Sequence, residues 1–139
     1  MEDVLNIVFS PDKENVLMVL KNRPAFLANL YNFVGGKLES HDENPESAAF
    51  RETLEESGIN TNPEYFGRVD GNGYTIHLCR DFNSNIFNAK TMEDEEIFVL
   101  HMDEVKNFHE SGVLAPNIMF YIQSALLVQT PNFLILQDF

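Results

Sequence analysis

The segment PESAAFRETLEES, Pro45 to Ser57, constrains this chain more than any other. Asn44 before it is a good helix N-cap, and Pro45 falls where proline is tolerated at the first helical position. Gly58 after it is a natural C-terminal stop. Together they predict a helix over about Pro45–Ser57. Residues three and four apart share a helical face, so Glu52, Glu55 and Glu56 fall on one side. Ala48 and Ala49 lie on or beside that side and leave room for ligands above it. Ser47, Phe50, Leu54 and Ser57 form the opposite stripe, which is expected to pack on a sheet.

Such a cluster of acids costs stability. Like charges at helical spacing destabilise by a few tenths of a kcal/mol per pair, and by more when partly buried. Glu55 and Glu56 also sit in the last turn, where the helix dipole disfavours anions. A bound divalent cation turns that repulsion into attraction. Oxygen ligands with little nitrogen or sulfur nearby suit Mg2+ or Mn2+.

The remaining pattern places this helix among strands. VLNIVFS and ENVLMVLK read as two strands, and a short one is expected near Leu30 to Val34. YFGRVDGNGYTIHLCRDF reads as two strands around Asp70-Gly71-Asn72-Gly73, and EIFVLHM as another. MDEVKNFHES and NIMFYIQSALLV read as helices. Strands interleaved with helices predict an α/β (α+β) fold with a mixed sheet between helices. At 139 residues, and with no linker or internal repeat, the chain is expected to be a single domain over 1–139.

Charge narrows the partners. Acidic residues outnumber basic ones 22 to 9, for a net charge of -13, so neither a nucleic-acid polymer nor an anionic membrane is an expected partner. Cys79 is the single cysteine, the N-terminus lacks the build of a signal peptide, and a cytoplasmic location is expected. His41, His77, His101 and His109 show no metal-ligand spacing.

Around the helix, Gly35, Gly36, Glu39, Glu43, Arg51, Glu52, Glu55, Glu56, Gly58 and Ile59 resemble, in order, the box of the Nudix (MutT-like) hydrolase family. Seven such fixed positions would match by chance at about 10⁻⁸ per starting position, so coincidence fails as an explanation. Two departures stand out. The loop from Gly36 to Glu43 is one residue longer than usual, and Thr53 replaces an aliphatic residue.

The resemblance implies an α/β/α sandwich and a Mg2+-dependent hydrolase that cleaves the diphosphate linkage of a nucleoside diphosphate joined to another group X. It implies Glu52, Glu55, Glu56 and the Gly35 carbonyl as metal ligands. Arg51 would hold the loop through Glu43 and orient the ligand carboxylates. A further acid outside the box is expected from Glu93–Glu96, with Glu95 and Glu96 the preferred candidates for a catalytic role. Lys21 matches a place where relatives put a basic residue facing the phosphates, with Arg23 the alternative. Tyr74 lies where some dinucleoside polyphosphate hydrolases carry a tyrosine. Phe26, Tyr31 and Phe33 offer aromatic faces for a base, although Phe33 fits the core better.

The short chain looks most like the members that cleave nucleoside triphosphates, so a (d)NTP pyrophosphohydrolase acting on a small-molecule nucleotide is expected. ADP-ribose and dinucleoside polyphosphates are the alternative substrates. A non-catalytic Nudix-fold module that binds a nucleotide is the rival reading. Family members are often dimers, so the resemblance also allows a homodimer.

Overall fold

The computed structural model describes residues 1–138. Its eight strands form one mixed sheet: β1 (Glu2–Phe9), β2 (Asn15–Leu20), β3 (Tyr31–Asn32), β4 (Val34–Lys37), β5 (Glu64–Gly71), β6 (Tyr74–Phe82), β7 (Ile97–His101) and β8 (Leu134–Asp138). The three α-helices are α1 (Pro45–Ser57), α2 (Met102–Glu110) and α3 (Ile118–Leu127). β3, β2, β1, β6, β5 and β8 run across the sheet in that order, with β4 also on β1 and β7 also on β2. β1 with β6 and β5 with β8 are parallel, and the other pairings are antiparallel.

β1 is buried on both faces because its residues alternate between the two sides of the sheet. Ile7 and Phe9 join Phe66, Leu78, Val105, Ile118 and Ile122 in the larger core, which reaches α2 and α3. Val4 packs with Ala48, Ala49 and Cys79 on the α1 side. The sheet therefore lies between α1 and the α2–α3 pair, as the sequence patterns predict.

The sequence reading assigns no element beyond α3, yet β8 adds itself to the sheet there. Its pairing with β5, from Gly67↔Leu134 to Gly71↔Asp138, joins residues far apart in sequence. The buried guanidinium of Arg80 donates to the carbonyls of Ala125 and Val128 at the end of α3, and to Glu64 at 2.8 Å. This ties the end of α3 to β5 and β6.

The site is positioned by a fork in the sheet. β1 pairs with β2 only at Phe9↔Val16, and then turns to β4 from Asn6↔Val34 to Asp3↔Lys37. β2 runs on with β3 and β7 instead. Lys21 leaves one branch and Gly35 lies on the other.

Candidate active site

The helix α1 forms for the local reasons its sequence supplies. The Asn44 side chain accepts a hydrogen bond from the Ser47 N–H at 2.8 Å, and Gly58 closes the helix at φ 75°. Its packing face differs from the expected one. Ala48, Ala49, Thr53, Glu56 and Ser57 are buried, whereas Phe50 and Leu54 are 37% and 39% exposed. Ala48 and Ala49 thus do not leave space above a metal face; they bring the helix close to the sheet. Thr53 takes part in that contact as a hydroxyl. It accepts from Asn6 Nδ2 at 2.8 Å and donates to the Ala49 carbonyl at 2.7 Å. A larger aliphatic pair would hold the helix farther away, so small and polar residues here set the height of its carboxylates.

Two glycines complete that approach. A Cβ at Gly35 would lie 2.0 Å from the Val4 carbonyl oxygen, and one at Gly36 would lie 2.5 Å from the Glu52 carboxyl carbon. Gly36 therefore leaves the room in which Glu52 lies against β4. The Gly35 N–H donates to Glu56 Oε1 at 3.3 Å.

Arg51 holds the loop, through a different partner from the expected Glu43. Its guanidinium donates to both oxygens of Asp42, at 3.1 and 2.9 Å, and to the Lys37 carbonyl at 3.2 Å. It also donates to Glu52 at 2.9 Å and lies 3.5 Å from Glu55. The longer loop explains the exchange: Asp42 stands at the usual family distance from Gly36, while Glu43 keeps the usual distance to Arg51. The hydrogen bonds from Arg51 hold the Asp42 carboxyl below its ordinary range, and those to Asp42 push the Arg51 guanidinium up.

A cavity of about 160 Å³ opens over this helix. Glu52 and Glu56 enter it from α1, and Glu93, Asp94 and Glu95 from the loop before β7. Lys21, Arg23 and Gly35 complete its wall. Burial, with repulsion from Glu52, pushes the Glu56 carboxyl up to about 8 against the opposing Gly35 N–H. Burial also raises Glu52, although Arg51 opposes it. Glu95 is partly buried, which raises its carboxyl, but Lys21 and the Asn22 N–H outweigh that and leave it lowered. Arg23 pulls Asp94 down to about 2.

The structure brings together some of the expected residues and separates others. Glu52, Glu56, Gly35, Lys21, Arg23 and Glu95 share the cavity. Glu55 is exposed and is not among the residues of the cavity wall; it lies beside Arg51. Glu96 is exposed and outside the cavity wall; its carbonyl instead accepts from the Leu20 N–H. Tyr74 stands on the β5–β6 hairpin, where its hydroxyl donates to Asp138 at 2.7 Å. It lines neither the acidic cavity nor the cleft beside it. Glu93 and Asp94, which the sequence patterns rank below Glu95 and Glu96, line the cavity beside Glu95. Four successive acids carry no local signal of which ones face inward.

A second, larger cleft of about 700 Å³ adjoins the first and shares Lys21, Arg23 and Gly35 with it. Leu5, Pro24, Phe26, Leu27 and Phe33 give it apolar walls, and Asp3 and Asn32 add polar groups. Phe26 is 74% exposed, whereas Phe33 is core and Tyr31 stacks on Phe108 at 4.8 Å between centroids. Of the three aromatics considered for a base, Phe26 is the one with a free face.

The donor set fits a hard divalent ion. It is made of carboxylate oxygens, and Glu56 is buried with no salt-bridge partner among the described residues. No three acidic, histidine or cysteine side chains among the described residues already converge on one point. The carboxylates line the wall rather than forming a closed shell.

Comparison with known proteins bears on the family and the fold. A family model described as the NUDIX domain matches residues 2–116. The chain belongs to the Nudix family. The Nudix domain of Shewanella oneidensis NrtR, solved in complex with ADP ribose, superposes with a TM-score of 0.73 at 16% identity, over 91% of this chain and 86% of that one. A MutT structure from work on Aliivibrio salmonicida and Vibrio cholerae gives 0.67 at 22% identity, over 90% and 96%. MutT from Bacillus halodurans gives 0.68 at 19% identity, over 96% and 86%. At these identities the likeness shows the Nudix fold and not a substrate. Among curated proteins, none matches the chain in sequence. No helix among the described residues is long and apolar enough to cross a membrane.

Proposed function

We propose that this Nudix protein is a divalent-metal-dependent hydrolase that cleaves the diphosphate linkage of a nucleoside diphosphate joined to X, with (d)NTPs as its substrates. One observation carries this reading. Lys21, Arg23 and Gly35 belong to both the acidic cavity and the apolar cleft, so a molecule with a flat apolar end and a polyanionic end spans the two. Phe26 and Leu27 cover the nucleoside, and Lys21 and Arg23 meet the phosphate charge. Glu95 holds the Lys21 ammonium at 2.8 Å and so fixes its direction.

Glu52 and Glu56, with Glu55 and the Gly35 carbonyl, would hold Mg2+ or Mn2+. Such an ion, when bound, neutralises diphosphate charge and lowers the pKa of water. Arg51 keeps Glu52 turned toward the cavity while its other arm fastens the loop to Asp42. The apolar walls of the cleft exclude water from the nucleoside. All three box glutamates of α1 are present, which favours an enzyme over a module that only binds a nucleotide.

The test is phosphate release, with and without Mg2+, from dNTPs, oxidised dNTPs, ADP-ribose and dinucleoside polyphosphates. Suitable coupling enzymes convert each product. Mg2+-dependent turnover of dNTPs is the expected result. ADP-ribose is the second reading, favoured by the likeness to a Nudix domain solved with that ligand. Turnover confined to ADP-ribose would replace the dNTP assignment. Silence across the panel from folded, Mg2+-binding protein would leave the binding module.

A further inference from the structure

The segment after β2 and the loop before β7 are joined by two ion pairs of different kinds. Lys21 Nζ donates to Glu95 Oε1 at 2.8 Å, and the Asn22 N–H donates to Glu95 Oε2 at 2.7 Å. Those side chains are 20% and 11% exposed, so both Glu95 oxygens are committed within a sheltered contact. Arg23 instead grips Asp94 with two arms, Nη1 to Oδ2 at 2.6 Å and Nη2 to Oδ1 at 3.4 Å. This pair is 67% and 58% exposed.

A guanidinium that spans two carboxylate oxygens presents the fork with which arginine holds two oxygens of a phosphate. Exposure makes the exchange inexpensive, because an open ion pair contributes only about 1 kcal/mol or less. Both Arg23 and Asp94 also line the cavity that the polyanionic end of a nucleotide would enter. Resting on the nucleotide reading of this site, we infer that Asp94 is an internal stand-in for a substrate phosphate on Arg23, and that the incoming nucleotide displaces it.

Displacement has a consequence for the cavity. The freed carboxylate remains on a wall that already carries Glu52, Glu56, Glu93 and Glu95. Its charge, no longer offset by Arg23, adds to the attraction for a divalent cation. Anion on Arg23 and cation among the carboxylates thus favour one another, and the coupling is reciprocal by linkage. Asp94 sets how strongly.

Two double-mutant cycles test this by calorimetry on the full chain. The first uses ADP as the probe, in the presence of EDTA. Asp94→Asn should tighten ADP binding about fivefold, the equilibrium counterpart of an exposed ion pair. Arg23→Ala should weaken it, and adding Asp94→Asn to Arg23→Ala should change nothing further. Equal tightening in both backgrounds would mean that Asp94 acts only through net charge, and would overturn the inference. The second cycle uses Mg2+ alone. Arg23→Ala, which frees Asp94, should raise Mg2+ affinity, and the double variant should lose that gain. An unchanged Mg2+ affinity in Arg23→Ala would also overturn it. If ADP binds no variant and the wild type is silent toward every nucleotide, the nucleotide reading falls and takes this inference with it.

Discussion

Beneath α1, β1 presents Val4, Asn6 and Val8, while toward α2 and α3 it presents Leu5, Ile7 and Phe9; the same strand is packed by two different means. The α2–α3 side is filled by large apolar groups, among them Phe66, Leu78, Ile118 and Ile122. Directly against α1 the packing is made by alanines and a buried polar contact, in which Asn6 Nδ2 donates to Thr53 and, at 3.3 Å, to Thr61, while Val8 farther along joins Leu17, Val34, Ile59 and Ile86. Large side chains supply most of the burial free energy, since the term scales with the apolar area removed from water. Small ones supply closeness. The difference teaches that α1 is held as a positioned part of the site, and the opposite face as the ballast that lets it be so.

The largest expected effect is on catalysis. Glu56→Gln should cut Mg2+-dependent turnover by orders of magnitude while the protein stays folded, as followed by steady-state kinetics and circular dichroism. Near-normal turnover would sink the assignment of Glu56. The same variant sharpens the energetic side of the comparison. The Glu56 carboxyl is raised in the folded protein from 4.5 to about 8, so the folded state binds the proton more tightly than the unfolded one. Its contribution to metal-free stability is present below 4.5 and is lost as pH rises through about 8. Urea midpoints of the metal-free wild type should fall over that window, and those of Glu56→Gln should fall less.

On the other face, Phe66→Ala should cost about 3–5 kcal/mol in urea unfolding, the range for emptying a buried aromatic site. Turnover at low temperature should persist, because Phe66 is not among the residues of the cavity wall. Thr53→Val should cost about 1–3 kcal/mol, the penalty of leaving a buried donor short of its acceptor. Although smaller, that loss should reduce turnover more than Phe66→Ala does, because α1 carries Glu52 and Glu56. Equal loss of turnover from both would break the distinction between the two faces. Leu54→Ser should have the smallest effect, within about 0.5 kcal/mol, because Leu54 lies on the open side of α1.

Much of this was legible in the sequence because its signals are local. Asn44, Pro45 and Gly58 mark the ends of α1, and Asn72-Gly73 marks the hairpin between β5 and β6. The box spacing identified the family that the comparison with known proteins then showed. What stayed hidden depends on residues distant in the chain. Phe50 and Leu54 look like a packing stripe by periodicity alone, and only the nearness of Asn6 makes Thr53 the better one. β8 is written mainly in β5, which offers it an edge. Among Glu93, Asp94, Glu95 and Glu96, the selection comes from where Lys21 and Arg23 stand across the fork.

The substitution of Asp42 for Glu43 as the partner of Arg51 bears on how such a chain tolerates insertion. The carboxylates of α1 keep their spacing because a helix fixes it, so a residue added inside α1 would rotate one of them out of the site. The guanidinium has no such rule. It reaches across several ångströms on a flexible stem, and it accepts whichever loop acid arrives at its fork. An extra loop residue is therefore absorbed at one joint and never transmitted to the machinery. A search pattern that counts loop residues rigidly would pass over chains built this way, whereas one that counts only within the helix would keep them.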